Sequence, residues 1–310
     1  MQARTVRIGT RGSPLALAQA DIVRRSLMAA HGLAAESIEI CAIRTAGDRI
    51  QDRPLAEAGG KGLFTKELEE ALLAGSIDLA VHSMKDMATT LPKGLRIAAV
   101  LEREDVRDAF ISRAATSIAG LPQGAVVGTS SLRRQAQVLR LRPDLKVVGL
   151  RGNVETRLAK IERGVADATL LACAGLNRLR LPVSIAYPIA VDEMLPAVAQ
   201  GAIGIEICAD NSAAADLAAP LDHQPTSLCV TAERAFLARL DGSCRTPIAG
   251  LAEVDGSGGL RFRGMILTPD GAQSHSTERK GPAAQAIVLA EAAAAELLAS
   301  AGPDFLKASG

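Results

Sequence analysis

Residues 6–32 read VRIGTRGSPLALAQADIVRRSLMAAHG. Val6–Gly9 has strand character and runs into a Gly-Ser-Pro turn. Ser13 is a helix N-cap, and Pro14 suits the first helical position, where its missing N–H would have no partner anyway. The amphipathic pattern then continues to about His31, and Gly32 supplies the stop. A strand delivered straight into a capped helix is half of a strand–helix–strand unit. Repeated along the chain, it argues for parallel sheets covered by helices.

The repetition is there. Strand candidates Ile38–Ile43, Ile77–His82, Leu95–Leu101, Ala125–Gly128, Lys146–Leu150, Ala168–Ala172 and Ile203–Cys208 alternate with helical patterns. Thr65 opens one helix and Gly75 closes it; Asn153 opens another. The same element order occupies residues 1–100 and 105–195 without a close sequence repeat. The stretch LPAVAQGAIGIEI returns the chain toward its first half. The C-terminal stretch has another pattern: the helix TSLCVTAERAFLARL, three strands with turns at DGSGG and PDG, and an Ala-rich helix. The expectation is two α/β units and a smaller α+β unit.

Composition narrows the function. A chain of 310 residues suits two or three domains. Lys and Arg total 35 against 34 Asp and Glu, a net charge of +1, which argues against a strongly basic scaffold or an acidic disordered tail. Aromatic residues are 2% with no Trp, which disfavours a base-stacking nucleic-acid binder. The five cysteines contain no C-x-x-C, and the four histidines show no ligand spacing, so no metal site is expected. Cys41, Cys173, Cys208 and Cys229 lie among apolar neighbours and read as small hydrophobic residues. Gly59-Gly60-Lys61-Gly62 fails the phosphate-loop spacing, and no G-x-G-x-x-G follows a strand. The first residues carry no apolar leader, and Glu291 and Glu296 interrupt the longest apolar run. The expectation is a cytoplasmic protein with reduced thiols and no membrane span.

Charge is uneven along the chain. Residues 130–180 hold eleven basic and four acidic side chains, an excess of seven in a chain whose net charge is +1. Thr129, Ser130 and Ser131 open a helix whose first turn contains Arg133 and Arg134. Cations there oppose the helix dipole by about 0.3–1 kcal/mol each. No structural reason for two of them is evident from sequence, so an anionic ligand at this helix start is expected. Arg151 directly follows the strand KVVGL, and Arg157 lies in the next helix; Arg140, Arg142 and Arg163 read as a solvated face. In the first half, Arg11 and Ser13 occupy the turn after the first strand, and Ser83, Lys85 and Asp86 follow IDLAVHS. Ligands of open α/β sheets gather outside the carboxyl ends of strands. Cys244 sits in the loop LDGSCRTP, where Arg245 favours its thiolate. The residues alone leave open a non-enzymatic module for a small polyanion. They also leave open a cysteine hydrolase, although none of His31, His82, His223 and His275 is placed as its base.

Taken together, these stretches resemble the porphobilinogen deaminase family over almost the whole chain. The marks are R-x-S-P-L-A at Arg11–Ala16, GGKGLFTKELE at Gly59–Glu69, AVHSMKD at Ala80–Asp86 and GTSSLRR at Gly128–Arg134. They continue with LRGNVETRL at Leu150–Leu158, AGLNRL at Ala174–Leu179 and GSCRTPI at Gly242–Ile248. The resemblance implies two periplasmic-binding-protein-like α/β domains flanking a cleft and a C-terminal α+β domain with a three-stranded sheet. The implied boundaries are 1–101 with 202–219, then 106–197, then 222–310. It implies a transferase of tetrapyrrole biosynthesis that condenses four porphobilinogens head to tail, losing ammonia each time. The primer would be a dipyrromethane cofactor joined to Cys244 by a thioether, and hydrolysis would release hydroxymethylbilane.

By the same resemblance, Asp86, Arg11 and Lys85 are catalytic. Asp86, Lys85, Ser83, Thr129, Ser131, Arg133, Arg134 and Gln200 contact the cofactor. Arg11, Ser13, Arg151, Arg157, Arg178, Lys61 and Phe64 serve the substrate, with Lys61 and Phe64 in a covering loop. The family habit is a monomer, and the composition and apolar pattern already lead to the expectation of no nucleic-acid and no membrane partner. Three positions depart from common family patterns: Glu57 for Lys, Ala88 for Pro and Ala199 for Gly.

Overall fold

The computed structural model describes residues 5–49, 62–181, 183–241, 246–302 and Phe305. In chain order the elements begin with β1 (Val6–Arg11), α1 (Pro14–His31), β2 (Ile38–Ile43), α2 (Ala46–Arg49), α3 (Lys66–Leu73), β3 (Leu79–Ser83) and β4 (Leu95–Val100). Next come β5 (Asp108–Ser112), β6 (Val126–Gly128), α4 (Leu132–Leu141), β7 (Lys146–Val148), α5 (Val154–Glu162), β8 (Ala168–Ala172), α6 (Cys173–Arg178) and β9 (Ala186–Pro188). The chain ends with β10 (Ile203–Cys208), α7 (Ser212–Ala218), α8 (Gln224–Arg239), β11 (Ile248–Val254), β12 (Gly259–Leu267), β13 (Ser274–Pro282) and α9 (Ala286–Ala301). Residues 1–104 with 202–227 form one compact unit, and 105–201 with 228–310 form another.

The first unit has a five-stranded sheet ordered β2-β1-β3-β10-β4. β1 is parallel to β2 and β3, whereas β10 runs antiparallel to both β3 and β4. The sheet is therefore mixed rather than parallel as expected. A parallel neighbour is reached by a crossover helix of the same sheet, whereas β10 follows the 105–201 segment of the other unit. Ser13 caps α1, its Oγ accepting from Ala16 N–H at 3.3 Å. Gly32 ends the helix in the left-handed region at φ 62. The buried stripe Ala20, Val23 and Leu27 packs with Ile8, Leu79, Val81 and Ile205. Each fully buried Val, Leu or Ile side chain among them contributes about 1.5–3 kcal/mol.

The second unit repeats that sheet as β7-β6-β8-β5-β9. β6 is parallel to β7 and β8, and β5 is antiparallel to β8 and β9. The same unit also holds the antiparallel three-stranded sheet β11-β12-β13. α9 covers β12 and β13 with Ala286, Ala290, Ala293, Ala294 and Leu297 buried. By length and composition Ala283–Ala301 could cross a membrane, contrary to the expectation drawn from its glutamates. In the fold, Glu296 accepts from Thr277 Oγ1 at 2.9 Å and Arg279 Nη2 at 2.8 Å. The β12–β13 turn seats on α4: Gln135 Nε2 donates to the Pro269 carbonyl at 3.2 Å.

Candidate active site

In the first unit the candidate side chains Arg11, Ser83 and Asp86 stand at or just beyond the carboxyl ends of β1 and β3, where the strand geometry places ligand sites. Met84, Lys85 and Asp86 form one short turn. Met84 N–H donates to the Ala202 carbonyl at 3.0 Å, and Met87 N–H to the Met84 carbonyl at 3.2 Å. The Met84 and Met87 side chains are buried, which pins the turn at both ends and leaves Asp86 exposed. A small recess beside it is walled by Arg11, Gln19, Phe64, His82, Ser83 and Asp86. Ser83 and Gln19 exchange hydrogen bonds: Gln19 Nε2 to Ser83 Oγ at 2.9 Å, and Ser83 Oγ to Gln19 Oε1 at 3.0 Å. The Arg11 guanidinium lies 4.2 Å over the Phe64 ring, a cation–π contact. Phe64 in turn occupies the space above Gly47, where a Cβ would come within 2.3 Å of the ring. Behind the recess, His82 Nε2 lies 2.9 Å from Glu206 Oε2, both side chains buried. Burial pushes the nearby Glu69 carboxyl up, with Glu206 adding to the rise.

In the second unit Ser131 caps α4, its Oγ accepting from Arg134 N–H at 3.4 Å. Thr129 Oγ1 accepts from Ser131 N–H at 3.2 Å. The two arginines of its first turn do not reach for solvent. Arg133 Nη2 lies 2.7 Å from Asp108 Oδ2, and Arg134 Nη2 lies 2.6 Å from Asp108 Oδ1. Arg133 Nη1 donates to the Leu195 carbonyl at 2.8 Å, and Arg134 Nη1 to the Leu170 carbonyl at 2.9 Å. Gln200 Nε2 completes the group, donating to the Val106 carbonyl at 2.8 Å and to Asp108 Oδ1 at 3.1 Å. Burial pushes the Asp108 carboxyl up, but the two arginines outweigh it and hold it well below the usual range. The sequence suggested no structural reason for the arginine pair; Asp108 supplies one.

Two family models match the chain. The first, "Porphobilinogen deaminase, dipyromethane cofactor binding domain", spans residues 6–216, and "Porphobilinogen deaminase, C-terminal domain" spans 227–299. The porphobilinogen deaminase of Paracoccus denitrificans is 60% identical over 97% of this chain and 96% of its own. The chain belongs to the porphobilinogen deaminase family. A second relative, the porphobilinogen deaminase of Nitrobacter hamburgensis, is 58% identical over 96% of this chain and 94% of its own. Among solved structures, the methionine-binding protein MetQ covers 70% of this chain and 89% of its own at TM-score 0.44 and 11% identity.

Set against the porphobilinogen deaminase motifs, the expected residues divide by unit. Arg11, Phe64, Ser83 and Asp86 meet at the first recess, while Ser13 stands at the head of α1 and Lys85 on the Asp86 turn. Thr129, Ser131, Arg133, Arg134 and Gln200 belong to the second unit's group. Arg151 and Arg157 flank the start of α5, where Asn153 caps the helix and Arg157 Nε donates to the Gly152 carbonyl at 2.9 Å. Arg178 Nη2 donates to the Gly201 carbonyl at 2.6 Å. Lys61 and Cys244 lie outside the described residues, as does Glu57. Ala199 adopts φ 58, a left-handed conformation costing a non-glycine residue about 1–2 kcal/mol. Its N–H is held at 2.6 Å by Glu233 Oε2. The sequence reading missed Asp108, Gln19 and Glu206. A buried acid opening a strand next to Arg107 looks in sequence like a loop charge; its one signal was the pair of arginines lacking a partner.

Proposed function

We propose that the chain runs the family reaction through the residues at the carboxyl ends of its parallel strands. In that reaction four porphobilinogens are joined head to tail, each losing ammonia, and hydrolysis releases hydroxymethylbilane. The observation that carries this reading is the placement of Asp86, an exposed carboxylate on a turn pinned by buried Met84 and Met87, beside a recess walled by Arg11 and Phe64. Loss of ammonia leaves positive charge on the substrate's methylene-pyrrole. A carboxylate fixed in advance stabilises that charge and accepts from the pyrrole N–H. Arg11 and Lys85 offer cations to the acetate and propionate of the substrate. Ser13, Arg151, Arg157 and Arg178, with Lys61 and Phe64, extend the same service to a product that gains carboxylates at each addition.

The arginine group fits an anionic cofactor. Two guanidiniums against one carboxylate leave a positive charge in excess. Arg133, Arg134, Thr129, Ser131, Gln200, Ser83 and Lys85 would hold the dipyrromethane, joined by a thioether to Cys244. When bound, it supplies the pyrrole position to which the first substrate is coupled. A cytoplasmic monomer without nucleic-acid or membrane partner completes the reading. It rests on family habit and on the scarcity of aromatic residues, 2% of the chain.

Asp86→Asn tests the central role. Substrate-dependent binding should persist while kcat falls by about 10²–10³-fold, the usual loss of one transition-state electrostatic partner. Full turnover in this variant would remove the role assigned to Asp86.

A further inference from the structure

Asp108 is fully buried at the first position of β5. All of its polar contacts are internal. Oδ1 accepts from Arg134 Nε at 3.1 Å and Nη2 at 2.6 Å, and from Gln200 Nε2 at 3.1 Å; Oδ2 lies 2.7 Å from Arg133 Nη2. Both arginines are themselves buried, 5% and 6% exposed. Among the described residues, Asp108 is the one acid in ion-pair contact with either of them. A purely structural brace would balance its charges, because a buried surplus charge is strongly unfavourable without a counter-ion. This group instead keeps one positive charge over. Arg133 Nε is also buried with no hydrogen-bond partner among the described residues.

We propose that Asp108 is a positioning residue that cancels one of the two arginine charges, so that the pair takes one ligand carboxylate rather than two. The proposal rests on the reading that Arg133 and Arg134 hold the cofactor. It goes beyond that reading by assigning the charge stoichiometry of the site to a residue that does not itself touch the ligand. Its prediction is specific to charge. Asp108→Asn keeps shape and volume but leaves two uncompensated guanidiniums. Adding Arg134→Gln to that variant restores the original surplus of one.

The test uses the full chain carrying Cys244→Ser, which has no thiol for the covalent group. Its outcome therefore stands whether or not the wild-type protein is modified. Thermal midpoints are measured with sodium formate as the carboxylate probe and sodium chloride at equal ionic strength as control. Asp108→Asn should lower the midpoint by about 5–15 °C. Asp108→Asn with Arg134→Gln should recover at least half of that loss. Formate should raise the Asp108→Asn midpoint more than that of the parent. An unchanged midpoint in Asp108→Asn, a double variant no more stable than the single one, failure of both to fold, or equal responses to formate would each overturn the proposal.

Discussion

Asp86 stands exposed at the end of a pinned turn, whereas Asp108 is fully buried between two guanidiniums. The contrast separates the two roles and makes Asp108 visible in acid. Its folded-state pKa is held below the unfolded value of about 3.9. A depressed carboxyl contributes stability that is complete above the unfolded pKa and is lost as pH falls toward the folded one. The thermal-midpoint gap between wild type and Asp108→Asn should therefore be constant above about pH 5 and narrow below about pH 4. A gap that stays constant into acid would contradict the pairing. Asp86 was legible in sequence because it follows an apolar strand in a stretch of family pattern. Asp108 was not, since DAFIS lies between Arg107 and Arg113 and shows no alternation to mark it as a central strand.

Among the elements, capped helices were the most legible. Ser13, Ser131 and Asn153 each accept the backbone N–H expected of an N-cap. A cap uses one hydroxyl lone pair and leaves the Ser13 and Ser131 O–H groups uncommitted by the cap. Thr65, also read as a helix start, stands at the N-cap of α3 without a side-chain cap bond. β5 and β9 went unread because their partners lie far away in sequence and β9 spans only Ala186–Pro188. The turn between β12 and β13 had a readable PDG, but not its use. Gly271, at φ 71, lies so close to α4 that a Cβ would meet the Ala136 carbonyl oxygen at 2.4 Å and the Arg140 nitrogen at 2.5 Å. Backbone on both sides cannot give way. Gly271→Ala should destabilise the protein by at least about 2 kcal/mol in denaturant unfolding. Gly258, at φ 85 with open space around it, is the control and should lose about 1 kcal/mol as Ala. Equal losses at the two positions would show that the hairpin does not press on α4.

For the whole molecule, a net charge of +1 conceals an excess of seven positive charges in residues 130–180. That excess is what made an anionic ligand legible. Its distribution was not, because Asp108 lies outside the segment and Arg142 pairs with Asp144 inside it, at 2.7 Å. If the remaining cations meet substrate carboxylates, KM should rise several-fold between about 0.05 and 0.5 M salt while kcat changes little. A KM independent of salt would contradict that assignment. Everything proposed for the reaction depends on a dipyrromethane group being built onto Cys244 as its primer. Intact-protein mass spectrometry with peptide mapping addresses that point without an activity assay of any variant. Active protein should be heavier by one dipyrrole unit, with the excess confined to the peptide containing Cys244. Active protein of unmodified mass would refute the covalent primer.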